Sequence, residues 1–120
     1  DQTRAFAKRF APLDKGIHPT MVHAGVYAEV LDYLKAVVAL KDVKDGVKIV
    51  DWMKKTPAED PLFGKSTIRA DGRVLHPVFL MQVKTPAESK HPWDYLKLVS
   101  TIPADQAFRP LKDGGCYLVK

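Results

Sequence analysis

The side chains able to do chemistry are few and dispersed. Cys116 is the only cysteine, and His18, His23, His76 and His91 are scattered, with only the first two close in sequence. A zinc site needs three or four ligands converging on one point, and a spacing of five does not stack His18 and His23 on one helical face. No metal site and no cofactor are expected. There is no G-x-S-x-G elbow, and a Ser, a His and an Asp picked from 120 residues do not make a triad. Arg69, Arg73 and Arg109 have the chemistry to hold an anion, but an arginine flanking a D-G turn more often pairs with a nearby carboxylate. Trp93 and Tyr95 have the chemistry of a stacking platform, yet Pro92 and the strand pattern favour core packing. These residues point to binding and away from an enzyme.

Charge narrows the partners. Nineteen basic against fourteen acidic residues give a formal +5, which raises a nucleic-acid reading. The bases are mixed with acids, as in KDVKDGVK and KHPWDYLK, with no basic block of five and no interleaved aromatic platform. A solvated basic surface and no nucleic acid are expected. At 46% hydrophobic the chain has apolar residues enough for a small core. No apolar run approaches the ~20 residues of a membrane-spanning helix, and DQTRAFAKRF lacks the long apolar stretch of a signal peptide.

Several elements must position these residues. Ala5, Phe6 and Phe10, interleaved with Arg4, Lys8 and Arg9, form an amphipathic helical turn and a half without a convincing cap, so the chain reads as a fragment that opens inside a helix. After PLDKGIHP, the apolar positions Val30, Leu31, Leu34, Val37 and Val38 recur at helical steps from Tyr27, with Glu29, Asp32 and Lys35 on the other side. This predicts a helix of about twenty residues, capped by Thr20 and ending near Lys41-Asp42. Asp45 caps a third helix, Gly46 to Lys55, whose Val47, Ile49, Val50, Trp52 and Met53 bury one side before Thr56-Pro57 stops it. AEDPLFGKS reads as a loop that delivers Leu62 and Phe63 as an apolar plug, with Gly64 at a positive backbone angle. The strand Val78 to Lys84 is nearly all apolar, as suits a central strand covered on both faces, whereas Tyr95 to Ile102 alternates more and suits an edge.

The stretch from Thr67 to Pro110 carries a further signal. A short strand TIR, an Asp71-Gly72 turn, the run VLHPVFLMQVK and the extension PWDYLKLVSTIPADQAFRPL follow one another. This order resembles the C-terminal third of the type I periplasmic solute-binding proteins of ABC transporters, in the class serving branched-chain amino acids and aromatic acids. The resemblance implies an α/β chain forming the C-terminal part of a two-lobe fold, helices first and then strands of the second lobe. Residues 1–77 would belong to the first lobe and 78–120, a crossing strand and the C-terminal part, to the second.

The same resemblance implies a site. The start of the long helix, PTMVHAGVY, lies at the rim of the interlobe cleft in that family, which makes Met21, Val22, His23 and Tyr27 the ligand-binding candidates. A helix N-terminus also suits a carboxylate. His76, Pro77, Val78 and Phe79, within the crossing from His76 to Leu80, would form the hinge; Pro77 stiffens it and restricts His76. The implied protein is periplasmic, or extracellular and membrane-anchored. Its partners would be a small organic acid or amino acid, the remaining N-terminal part of the same protein and a membrane permease. A ligand-sensing regulatory domain of the same fold and a free-standing basic interaction domain are the alternatives. Cys116 would be paired outside the fragment in an exported protein and an ordinary thiol in the cytosol.

Overall fold

The computed structural model describes residues 2–117 and 119. Helix α1 (Gln2–Phe10) runs into a 3₁₀ turn at Ala11–Leu13. Its Phe6 is buried, and the ring lies 6.0 Å from Phe10 and 5.0 Å from Tyr27. That aromatic contact fastens α1 to α2 (Met21–Leu40). Thr20 is the N-cap expected: its backbone is extended and its hydroxyl accepts from the Val22 N–H at 3.3 Å. Lys41 closes the helix in the left-handed conformation at φ 53°. Helix α3 (Gly46–Lys55) begins where Asp45 accepts from the Lys48 N–H at 3.0 Å and ends at extended Thr56, before Pro57.

The buried faces of these helices differ from the sequence expectation. In α2 the buried residues are Asp32 and Ala36, while Val30, Leu34 and Val38 of the apolar row are exposed. Asp32, expected outside, therefore sits inside. The helix carries apolar residues around most of its circumference, so period alone does not choose a face. The row holding Gly25, Ala28, Asp32 and Ala36 has the shortest side chains. It lets α3 and the first strand approach closely, and the Lys35 amine reaches over to the Glu59 carbonyl at 2.5 Å. In α3, Ile49 is 2% exposed and Trp52 and Met53 are half-buried, but Val47 and Val50 face outward rather than inward.

AEDPLFGKS is a hairpin, not a loop. Strand β1 (Ala58–Asp60) pairs antiparallel with β2 (Gly64–Ile68), in the register Ala58 with Ser66 and Asp60 with Gly64. One oxygen of Asp60 accepts from the N–H groups of Leu62 and Phe63 at 2.7 and 2.9 Å, a side-chain turn that Pro61 tolerates. Leu62 is the buried plug expected, and Gly64 adopts φ +72°. Around Asp71-Gly72, β2 pairs with β3 (Val74–Leu75) to complete a three-stranded sheet in the order β1-β2-β3.

The run VLHPVFLMQVK divides at His76-Pro77. Beyond it β4 (Val78–Val83) pairs antiparallel with β5 (Leu96–Ile102) in a separate two-stranded ribbon, with an irregularity between Leu80 and Met81. Phe79 through Val83 are exposed, so the covered central strand is not found. A central strand needs neighbours at both edges and helices on both faces, and the described residues give β4 only β5. Glu88 and Asp94 tie down the ribbon's far end through Lys97 at 2.6 Å and Lys84 at 2.7 Å. A short helix α4 (Ala104–Ala107) and a 3₁₀ turn at Leu111–Gly114 follow β5.

Candidate functional site

The residues at the start of α2 face α1 across an open apolar groove of about 700 Å³, within the range of small-molecule sites. Val22, His23 and Tyr27 line it together with Phe6, Phe10 and Val26. Met21 is well exposed and lies outside the lining. Phe6 and Phe10, one helical turn apart in α1, were not among the sequence candidates. Their spacing was the available signal, because side chains four apart share a face.

His23 has a local job. Its Nδ1 accepts from the Thr20 N–H at 3.0 Å, reciprocating the Thr20 cap, and its ring meets Phe10 edge-on at 4.9 Å. The ring does what Glu or Gln does at this position of a capping box. Since the cap already takes up hydrogen-bonding capacity in the first turn, the helix end has less to give a carboxylate than the sequence suggested.

The segment between the sheets is clasped by the tail. The His76 ring lies 4.7 Å from Phe63 and 5.6 Å from Phe108, and its Nδ1–H donates to the Pro77 carbonyl at 2.9 Å. Val78 and Phe79 lie within β4, opposite Ile102 and Thr101. The Arg73 guanidinium covers the Phe108 ring at 5.6 Å. Arg69 makes a two-pronged bond to Asp71 at 3.1 and 2.6 Å and donates to the Arg109 carbonyl at 2.9 Å. The Arg69 and Arg73 side chains are engaged internally, and the Arg69 contact holds the Asp71 carboxyl below its usual range. Trp93 and Tyr95 are exposed rather than core residues; Trp93, at φ 72°, stacks on His18 at 4.9 Å.

A second cavity, smaller at about 130 Å³, lies on the opposite side of α2 from Val22 and is lined by Asp32, Ser66, Asp60 and His76 among others. Burial pushes the Asp32 carboxyl up, Lys35 counters this, and Asp60 adds to it. Among the described residues no cluster of His, Cys, Asp or Glu is arranged to hold a metal ion, Cys116 is a free thiol, and no helix is long and apolar enough to cross a membrane.

Comparison with known proteins adds to this geometry. The profile of a family described as periplasmic binding protein matches residues 1–90. Two solved structures cover the whole chain. One is a periplasmic binding protein from Burkholderia mallei, 42% identical with a TM-score of 0.90. The other, from Burkholderia xenovorans, is a branched chain amino acid ABC transporter periplasmic ligand-binding protein, 40% identical with a TM-score of 0.92. The chain spans 32% of the length of each. No curated protein matches it.

Proposed function

Because the chain belongs to the periplasmic binding protein family, we propose that it is part of the solute-binding component of an ABC importer. It acts outside the cytoplasm, in the periplasm or at the outer surface, and hands a small organic anion, an amino acid or an aromatic acid, to a membrane permease. It binds and releases its cargo without chemistry on it. The observation that carries this reading is a coincidence of position: the family match takes in the start of α2, where a ligand-sized apolar groove lies.

In this reading residues 1–77 lie in one lobe and 78–120 in the other, with His76, Pro77, Val78 and Phe79 as the connection that bends. The break between the two sheets at His76-Pro77 supports that division. A ligand touching both lobes would shift the open form toward the closed one by its differential contacts. Val22, His23 and Tyr27 provide one wall, with Met21 beside it at the exposed rim: Val22 and Tyr27 the apolar contact, and His23 a polar edge whose Nδ1 is already spent on the cap. The branched-chain amino acid named for the B. xenovorans structure suits that apolar wall.

Calorimetry on the protein that carries this chain tests the reading. A branched-chain amino acid or an aromatic carboxylate should bind, and Val22→Asp should weaken that binding about tenfold or more with an unchanged melting temperature, since Val22 is exposed and its loss removes only ligand contacts. Unchanged affinity in the variant removes α2 from the site.

A further inference from the structure

The cavity behind α2 has a composition that selects its guest. Asp32 is 8% exposed and Ser66 7%, yet neither side chain makes a hydrogen bond among the described residues. The influences on the Asp32 carboxyl are burial and the charges of Lys35 and Asp60, with no donor among them. No polar side-chain atom of the described residues is sealed away without a partner. The Asp32 oxygens and the Ser66 hydroxyl are therefore open to the cavity they line. An accessible carboxylate oxygen on an otherwise buried residue favours a guest that donates to it.

The rest of the lining gives the shape of that donor. Acceptors dominate. Asp60 spends one oxygen on the Leu62 and Phe63 N–H groups, and His76, whose Nδ1–H is spent on Pro77, presents Nε2 as an acceptor when neutral. Lys35, the one ammonium in the lining, gives one of its three N–H groups to the Glu59 carbonyl and acts on Asp32 through its charge, not through a hydrogen bond. Beside the polar groups the lining is apolar, with Ala28 one helical turn from Asp32, Ile68 two residues along the strand from Ser66, and Met53 of α3. A volume of about 130 Å³ is close to that of a cavity of about 150 Å³ known to admit a benzene-sized molecule.

We infer that this cavity is a binding site for a small primary alkylamine of about four to six heavy atoms, its ammonium donating to Asp32 and Ser66 and its alkyl chain lying against Ala28, Met53 and Ile68. The ammonium supplies three donors, and the pairing with Asp32 is charge-assisted. The site lies across α2 from the Val22 groove and does not depend on the solute-binding reading.

The test uses the full protein that carries this chain, with n-butylammonium as probe and tetramethylammonium and sodium chloride at equal ionic strength as controls. Butylammonium should bind saturably by calorimetry and raise the melting temperature, and tetramethylammonium, which has no N–H, should do neither. Asp32→Asn, nearly identical in shape, should weaken binding about tenfold or more, and Ala28→Leu should block it by filling the apolar end. Val22→Asp should leave the amine response intact while impairing the solute in the groove, so the two readings fail separately. Binding should fall with falling pH as Asp32 takes up a proton, in a field set by Glu29, Lys35, Glu59, Asp60 and His76. A butylammonium response no larger than that of sodium chloride, or one unchanged in both Asp32→Asn and Ala28→Leu, overturns the inference. So does a crystal structure soaked in the amine that shows only water beside Asp32.

Discussion

The two sheets invert the usual relation between composition and burial. The first three strands read AED, GKSTI and VL, and β1 and β2 place Asp60 and Ser66 among the most buried residues of the chain. The ribbon reads VFLMQV and LKLVSTI, and most of its apolar side chains are in solvent. The difference lies in neighbours. The first sheet sits beneath α2 and α3, whereas among the described residues the ribbon has only α1 near it, at its Tyr95–Leu96 end. Side-chain type sets what burial is worth, and topology decides whether it happens.

Substitutions at the two ends of this contrast should differ most. Ile49→Ala removes a fully buried side chain beside the first sheet and should cost about 2–5 kcal/mol in a denaturant titration. Leu98→Ala in the ribbon should stay within about 0.5 kcal/mol, as at other exposed positions. If Leu98→Ala in the full protein costs as much as Ile49→Ala, the ribbon is covered there by residues outside this chain, and the contrast belongs to the fragment alone.

Asp60→Ala leaves the Leu62 and Phe63 N–H groups without their acceptor and should cost about 1–3 kcal/mol, read by the same titration. Gly64→Ala meets no atom within 4 Å, so only the positive backbone angle resists it. Its cost should be about 1–2 kcal/mol. A neutral result would mean that the hairpin turn relaxes more easily than its side-chain bonds imply.

The ribbon should respond to acid rather than to cavity formation. Lys97, with help from the Thr85 N–H and hydroxyl, holds the Glu88 carboxyl down to about 2 from its ordinary 4.5. A lowered folded-state value means that its contribution is fully present above about pH 4.5 and is lost as the pH falls through about 2. The protection of the Leu96 and Lys97 amides, taken relative to intrinsic exchange at each pH, should therefore fall as the pH drops through that window. High salt should shrink the effect, because the pair is exposed, and Glu88→Gln should abolish the acid step. Protection that is flat across the window would show that cross-strand pairing alone secures this end.

Local signals were the legible ones. Thr20, Asp45, Thr56 and the Asp71-Gly72 turn each act within a few residues, and each stands where the sequence put it. The buried face of α2 was not legible, because an apolar row of Val and Leu outweighs Gly25, Ala28 and Ala36 in any periodicity, although short side chains are what close approach requires. The β1–β2 hairpin was hidden by Asp60-Pro61, which reads as a loop until the Asp60 bonds are seen. At the groove, Val22 and Tyr27 could be named from family likeness, but the capping role of His23 could not, since Glu or Gln is the usual residue there. Asp32 was assigned to the outside by the same periodicity that misjudged the helix.

The return of the tail makes the stretch from Arg69 to Arg109 a closed circuit, joined by their hydrogen bond, by Phe108 against His76 and by the β4–β5 ladder. None of those ties runs through the turn from Glu88 to Lys90, whose half-buried Ser89 is held only locally by the Thr85 carbonyl. A protease cut at Ser89–Lys90 would therefore sever the chain without separating it, and the two pieces, made apart, would be natural halves for reassembly in trans.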